Sequence, residues 1–322
     1  MEKKINAIVD EMEKYLSLEQ LRLLQHCLIK HLSENSFNSD SLGNKEYLKM
    51  FIDAKRIEGC SERTLFYYSS TIDHLFNSVQ MSIRSVSSEE IRGYLSDYQK
   101  TRNCSKTTLD NIRRNISSFF TWLEQEEYIL KSPMKKIHKI KTTKIVKETI
   151  NDEDIEKLRD NCKSIRDLCI VDLLYSTGMR VGELVNLNRE DINFEERECV
   201  VFGKGDKERK VYFDARTKLH LQNYLSSRTD SNPALFVTLD YPNDRLKISG
   251  VEIRLRSLGK KLNMDRIHPH KFRRSMATKA IDKGMPIEQV QKILGHSQID
   301  TTLQYAMVNQ NNVKISHRKY LS

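Results

Sequence analysis

The sequence lacks several features that would assign it to common classes of protein. Its six cysteines include no C-x-x-C pair, so we expect reduced thiols rather than a disulfide framework or a zinc site. No apolar run approaches the roughly 18 residues that a membrane span needs, and residues 1–20 carry too many charges for a secretory signal peptide. The sequence therefore predicts a cytoplasmic protein with no membrane partner.

Motifs for nucleotides and metals are also missing. Neither G-x-x-x-x-G-K-[ST] nor G-x-G-x-x-G occurs, which disfavours ATP or dinucleotide binding. There is no carboxylate cluster and no metal-ligand spacing, so we expect a function that needs no divalent ion and no other cofactor. What the sequence does have is basic charge: 54 Lys and Arg against 44 Asp and Glu give a net charge of +10. This charge favours a polyanionic partner without proving one.

Apolar spacing and composition divide the 322 residues into four stretches. Residues 1–42 predict a slightly acidic helical extension, and the Ser- and Asn-rich stretch 33–44 marks a boundary. Residues 43–130 predict four helices, and residues 149–322 predict a mostly helical domain with short strands between 192 and 213. The expected fold class is therefore mainly α with a small antiparallel β-sheet.

The stretch between these two domains is strongly basic. Residues 131–148 hold seven lysines and one glutamate, and Pro133 and the lack of a helical stripe predict an extended linker. We name as candidate contacts to a phosphate backbone, on the helical domain and on this linker, Lys106, Arg113, Arg114, Lys135, Lys136, Lys139 and Lys141. A solvated tether remains the alternative for the linker, and an ordinary solvated charge remains the alternative for each residue.

A cluster of His, Arg and Tyr near the C-terminus suits a bound phosphate. His270 and Arg273 are one helical turn apart, on a helix that we expect to begin after Pro269, so both side chains can point to the same side. His296 and Tyr305 follow closely. Arginine clamps two oxygens in its planar fork, histidine donates or shuttles a proton, and tyrosine is a candidate nucleophile. For His270 taken alone, a surface helix is the simpler interpretation.

Two further basic residues fit the same chemistry. Arg180 follows the Gly178 that ends a predicted buried helix, and Glu183 lies one turn further on, where it can hold the guanidinium group. A purely structural pair is an equally open interpretation of Arg180 and Glu183. Lys204 lies in a predicted β-turn between two glycines, where a mobile loop can carry it to a phosphate as a general acid.

Four motifs together resemble those of the tyrosine recombinase (phage integrase) family, and of its Xer-like site-specific recombinases in particular. They are T-G-M-R-V-G-E-L, G-K-G-D-K-E-R, H-P-H-K-F-R-R-S and L-G-H-S-Q-I-D-T-T-L-Q-Y, and the resemblance covers roughly residues 45–322. The positions that match the family's catalytic residues are Arg180, Lys204, His270, Arg273, His296 and Tyr305. Residues 1–42 do not resemble the β-rich arm-binding domain of some phage integrases.

The resemblance implies a clamp on double-stranded DNA, made of a helical SAM-like core-binding domain and a catalytic domain. It implies that Tyr305 attacks a phosphodiester and leaves a 3′-phosphotyrosyl bond, with the two arginines stabilising charge on the phosphate. Lys204 would protonate the leaving 5′-oxygen, His270 would act as base at the tyrosine, and His296 would support the phosphate. Integration, excision, inversion and resolution all remain open outcomes for such an enzyme of a mobile element or chromosome.

The resemblance also implies an assembly. We expect a homo-tetramer on paired DNA sites, with the tail 307–322 docking on the next protomer, and a monomer or dimer when free. Accessory proteins are a further class of partner that it allows, and the expected location is cytoplasmic and nucleoid-associated. Two alternatives are a type IB topoisomerase-like relaxase and a non-catalytic DNA-binding regulator. The two-domain layout weighs against the first, and the intact Arg180, Lys204 and Tyr305 weigh against the second.

Overall fold

The computed structural model describes residues 8–34, 42–142, 148–203, 208–264, 266–296 and 298–306. The chain divides into two compact units, Met1–Lys144 and Ile145–Ser322. In these described ranges, no helix combines the length and the apolar composition that crossing a membrane would need.

The regular elements described in the N-terminal unit are all helices. Residues 8–12 are helical, and the helices that follow are α1 (Leu18–Glu34), α2 (Asn44–Ile57), α3 (Glu62–Val79), α4 (Ser88–Arg102) and α5 (Lys106–Gln125). The prediction of four helices over residues 43–130 is confirmed. Three of them begin at serine caps. The Ser61 and Ser105 hydroxyls accept hydrogen bonds from backbone N–H groups three residues on, at 3.3 and 3.1 Å, and the Ser87 hydroxyl accepts one from the Glu89 N–H at 3.1 Å.

An aromatic core holds this unit together. Phe119, Phe120 and Trp122 of α5 are buried, as their helical spacing predicts. Phe51 of α2 packs edge-on against Phe119, with ring centroids 5.2 Å apart. Because fully buried aromatic side chains leave cavities when truncated, Phe119→Ala would cost about 3–5 kcal/mol of stability.

The start of the basic linker differs from its prediction. Pro133–Lys136 forms a short 3-10 helix rather than extended chain, and the Ser132 side chain caps it. The reason is apolar: Met134 is buried in the N-terminal core, and Ile140 packs against that core. The Ile140 N–H donates to the Asp110 carboxylate at 3.1 Å, which ties this segment to α5. The extended conformation predicted for residues 131–148 is therefore wrong at its beginning.

The C-terminal unit is mainly helical with one small sheet, as predicted. Its helices are α6 (Asp152–Asp160), α7 (Ile165–Thr177), α8 (Val181–Asn186), α9 (Ala215–Ser227), α10 (Ile248–Lys261), α11 (Pro269–Asp282), α12 (Ile287–Leu294) and α13 (Asp300–Ala306). The antiparallel sheet runs in the order β1 (Ile192–Asn193), β2 (Glu198–Phe202) and β3 (Glu208–Tyr212).

Helix α7 is the centre of this unit. It is almost entirely apolar and buried, and it packs against α9 on one side and α11 on another. Its buried Asp172 accepts one hydrogen bond from Arg159 Nε at 2.6 Å, and its other oxygen lies 2.6 Å from the His220 ring, so the carboxylate is paired rather than isolated. The helix ends at Gly178, which takes the left-handed conformation at φ 61° and turns the chain towards α8.

Candidate active site

Arg180 stands at the junction between α7 and α8 and is tied to Glu183. As the N-cap residue of α8, it donates its backbone N–H to Glu183 Oε2 at 2.7 Å. Its Nη1 also donates to Oε1 at 2.9 Å, so the predicted contact with Glu183 is present. Glu183 is buried while the Arg180 side chain is 38% exposed. The carboxylate therefore holds the guanidinium group from the interior and leaves part of it facing solvent.

A second arginine, which the sequence analysis did not single out, meets the same carboxylate. Arg209 of β3 donates from Nη1 and Nη2 to the two Glu183 oxygens at 2.7 and 2.6 Å. Burial raises the pKa of Glu183, but the hydrogen bonds from Arg209 and Arg180 outweigh it and the net pKa is lowered. Glu183 is therefore ionised at neutral pH. The available signal was Arg209 at the end of the motif G-K-G-D-K-E-R.

Arg273 of α11 is buried, at 3% exposure, and is held by main-chain oxygens. Its Nη1 donates to the Gly178 carbonyl at 2.7 Å, and its Nη2 donates to the Leu294 carbonyl. Burial, and then the charges of Arg180 and Arg209, lower the pKa of Arg273 to about 10. The group stays protonated at neutral pH, and an anion placed beside it would offset both effects.

The C-terminal end of α12 receives three guanidinium groups in succession. Arg209 Nε donates to the Ile293 carbonyl at 2.8 Å. Arg273 donates to the Leu294 carbonyl, and Arg180 Nη2 donates to the Gly295 carbonyl at 3.4 Å. The last carbonyls of a helix lack intrahelical partners and carry its negative dipole end, so they attract cations. This helix end gathers the arginines at one place.

His296 follows directly on that helix end. Its Nδ1 lies 2.8 Å from the hydroxyl oxygen of the buried Thr302, which fixes the ring. Burial, and then the charges of Arg273, Arg180 and Arg209, lower the pKa of His296 to about 4. Without a bound anion the imidazole is therefore neutral at physiological pH, so it can offer a hydrogen bond but not a positive charge.

Tyr305 lies on α13 beside His296. The two ring centroids are 6.1 Å apart, with 31° between the ring planes. The tyrosine is half-buried and packs on a small apolar cluster whose buried members are Ala277, Val290 and Leu294. Apolar packing on α11 and α12 therefore brings the predicted nucleophile to the predicted second histidine.

His270 shares α11 with Arg273 but not its environment. The helix begins at Pro269, as predicted, and His270 in its first turn is exposed while Arg273 is buried. Partial burial of the ring, and then the charge of Arg273, lower the pKa of His270 below its ordinary value. The side chain is therefore neutral at pH 7 and able to accept a proton.

Lys204 lies outside the described residues. β2 ends at Phe202 and β3 begins at Glu208, so the strands predicted on either side of it are confirmed. Its role remains a prediction. In the described ranges, no group of three or more His, Cys, Asp or Glu side chains is arranged to hold a metal ion.

The predicted phosphate contacts all lie in the N-terminal unit, away in sequence from this site. Arg113 and Arg114 both pair with the buried Asp110, at 2.8 and 3.2 Å, and Arg113 is only 13% exposed. Lys135 pairs with Glu124. The remaining four are exposed, namely Lys106, Lys136, Lys139 and Lys141. Their roles on DNA remain predictions, with Arg113 the least accessible of the set.

The fold and the site define a class: a tyrosine-type site-specific recombinase, with a helical N-terminal unit ahead of an Arg, His and Tyr centre. Comparison with known proteins agrees. The model of the Phage integrase family matches residues 148–312, and that of the "Phage integrase, N-terminal SAM-like domain" matches residues 47–130. The chain belongs to the Phage integrase family.

Two relatives that the chain resembles are named tyrosine recombinases. The chain is 31% identical over 296 residues to a tyrosine recombinase XerC of Leptospira interrogans, covering 88% of this chain and 94% of the relative. It is 29% identical over 277 residues to a tyrosine recombinase XerC of Staphylococcus aureus, covering 82% of this chain and 92% of the relative.

Solved structures share the fold. The XerH site-specific recombinase bound to a palindromic difH substrate, in a post-cleavage complex, superposes with a TM-score of 0.69 at 19% identity. That match covers 99% of this chain and 95% of the other. A lambda integrase dimer bound to a COC′ core site gives a TM-score of 0.70 at 16% identity, over 88% of this chain and 85% of the other.

Proposed function

We propose that this protein cleaves and rejoins double-stranded DNA at specific sites, through a covalent bond between Tyr305 and a 3′-phosphate. The observation that carries the proposal is the assembly at one helix end. Arg180, Arg273 and His296 contact or directly follow the last carbonyls of α12, and the Tyr305 ring lies beside His296. Two guanidinium groups and a neutral imidazole suit a phosphodiester whose negative charge grows in the transition state.

Each step has a residue to perform it. The Tyr305 oxygen attacks the phosphorus and gives its proton to His270, whose lowered pKa keeps it neutral and receptive. The bond to the 5′-oxygen breaks, and Lys204 supplies the proton that this oxygen takes. Arg180 and Arg273 stabilise the charge on the non-bridging oxygens. The reverse reaction, with a 5′-hydroxyl as the attacking group, rejoins the strand and returns the protons.

This scheme needs neither ATP nor a metal cofactor. The phosphotyrosyl bond retains the energy of the broken phosphodiester, so rejoining requires no external source. The charge that a metal ion supplies in other phosphoryl transfers is supplied here by the fixed cations of Arg180 and Arg273.

The partner is double-stranded DNA, and the exposed lysines of the N-terminal unit support this part of the proposal. Lys136, Lys139 and Lys141 lie on a segment that Met134 and Ile140 anchor to a folded core, so their backbone positions are defined before DNA binds. Pre-ordered cations lose less entropy on contacting phosphates than cations on a free tether do. We propose that both units contact the duplex.

On paired sites we propose a homo-tetramer, with the free protein a monomer or dimer. The support is the family resemblance and the tail 307–322, which carries the basic run His317-Arg318-Lys319. Ending the chain after Asn309 should leave binding to single sites intact and abolish recombination of paired sites. Recombination at the wild-type rate by the shortened protein would contradict the tail exchange.

The central experiment maps covalent protein–DNA junctions in DNA from the host and then uses the mapped site as substrate. Tyr305→Phe should form no covalent complex and should bind the site nearly as well as the wild type, since one hydroxyl is removed from a phosphate-dominated interface. Residual covalent complex with the purified variant would move the nucleophile elsewhere, Tyr320 first. Relaxation of supercoiled DNA without a specific site would instead indicate a relaxase.

A further inference from the structure

We propose that Arg209 is a positioning residue of the phosphate site, and that it acts by joining Glu183 to the C-terminal end of α12. This inference rests on the proposed function. It concerns a residue on the strand that follows Lys204, outside the six positions matched by the family's catalytic motifs.

The geometry of Arg209 is that of a bridge. Nη1 and Nη2 donate to the two oxygens of Glu183 at 2.7 and 2.6 Å, and Nε donates to the Ile293 carbonyl at 2.8 Å. All three nitrogens of one planar group are therefore engaged, two by α8 and one by α12. The side chain is only 10% exposed, so the bridge lies in the interior.

Both ends of the bridge hold arginines that we place on the scissile phosphate. Glu183 also accepts from the backbone N–H and Nη1 of Arg180. The carbonyl after Ile293 belongs to Leu294 and accepts from Arg273. Without Arg209, the carboxylate and the helix end lose their shared donor, and the spacing of Arg180 from Arg273 has one constraint fewer.

The balance of charge around Glu183 also supports a positioning role for Arg209. Arg180, Arg209 and Arg273 bring three positive charges against the one negative charge of Glu183. The bidentate contact places the Glu183 charge chiefly on Arg209, which leaves Arg180 and Arg273 as the cations available to a phosphate. Arg209 also tightly fills the space beside Gly295, because a Cβ built there would lie 2.9 Å from Arg209 Cδ.

Lysine cannot reproduce this bridge. It keeps the positive charge, but a single ammonium group lacks the planar fork that meets two carboxylate oxygens and a carbonyl together. Arg209→Lys therefore preserves the charge of the cluster and removes the geometry. Arg228→Lys is the matched control, since Arg228 is 4% exposed and bonds Asp230 and the carbonyls of nearby residues in the same unit.

The test compares wild type, R209K and R228K in covalent-complex formation on the mapped site. One substrate carries the normal phosphodiester, and the other carries a methylphosphonate, whose neutral phosphorus centre needs less stabilisation by cations. R209K should bind the site within about threefold of wild type and should cleave the normal phosphate on the order of 100-fold more slowly, as misplaced catalytic groups do. Its deficit should shrink to under about tenfold on the methylphosphonate. R228K should cleave both substrates like wild type.

The proposal is overturned if R209K cleaves the normal phosphate within about threefold of wild type, or slows by the same factor on both substrates. If R209K does not fold, Glu183→Gln breaks the bridge from its other side, and the same substrate-dependent deficit is expected. Failure of the wild type to cleave any mapped DNA would contradict the proposed function itself. Normal cleavage by both wild type and R209K would contradict only the positioning role of Arg209.

Discussion

Gly295→Ala tests whether the end of α12 is as closely fitted to the arginines as its contacts indicate. Gly295 caps that helix at φ 63°, in the left-handed region. For an L-residue this conformation costs roughly 1–2 kcal/mol. A Cβ at this position would also lie 2.9, 3.1 and 3.3 Å from Cδ, Nε and Nη1 of Arg209. Arg209 cannot move aside without loosening its contacts with Glu183 and Ile293, so overpacking should add about 1–3 kcal/mol.

Gly284→Ala is the matched control. Gly284 lies in the same unit at φ 90°, and a Cβ there would meet nothing within 4 Å. It therefore carries the conformational cost alone. In calorimetric unfolding of the full chain, G295A should lower the melting temperature further than G284A does, by about 2–4 °C for each additional kcal/mol. G295A should also slow covalent-complex formation, and G284A should not.

Equal melting temperatures for the two variants would refute the steric part of this reasoning. A G295A enzyme that is less stable than G284A but cleaves at the wild-type rate would instead refute the positioning part. In that second case the helix end would be tightly packed without positioning the arginines, and Arg180 and Arg273 would be held by other contacts.

Three further predictions concern individual groups. Lys204→Ala should cleave poorly and recover strongly on a substrate with sulfur at the 5′-bridging position, because that leaving group needs little protonation; no relative rescue would show that Lys204 is not the acid. Neutralising four linker lysines should weaken binding to specific and random duplexes about equally. It should also flatten the slope of log affinity against log salt by up to about 0.9 for each phosphate that the variant no longer neutralises. The four lysines are Lys135, Lys136, Lys139 and Lys141. An unchanged slope would show that the segment is only a tether. Because the pKa of His270 is lowered, its neutral form persists as pH falls below 6.5, so the second-order cleavage rate should hold through 6.5 and fall only below it. His270→Gln should lose that acid limb, and an unchanged profile would exclude His270 as the base.

The positions of the helices could be predicted from the sequence because caps, apolar spacing and terminal glycines act within a few residues. Ser61 and Ser105 cap helices in the structure as their side-chain chemistry predicts. The apolar run after Ile165 predicted the buried helix α7, and Gly178 its end. The linker was the failure, because its apolar residues are spaced too sparsely to show as a stripe. Whether Met134 is buried depends on a core assembled from other helices.

The sequence by itself determined which residues we propose for the site, since a family motif specifies residue types in a fixed order. Arg180, Arg273, His296 and Tyr305 could be named from it, and so could the contact between Arg180 and Glu183, which are three residues apart. Only the tertiary structure decided how these groups are held. Arg209 meets Glu183 from 26 residues away and the Ile293 carbonyl from 84 residues away. Main-chain carbonyls carry no sequence signature, so their gathering of three arginines follows from where α12 ends against β3 and α11.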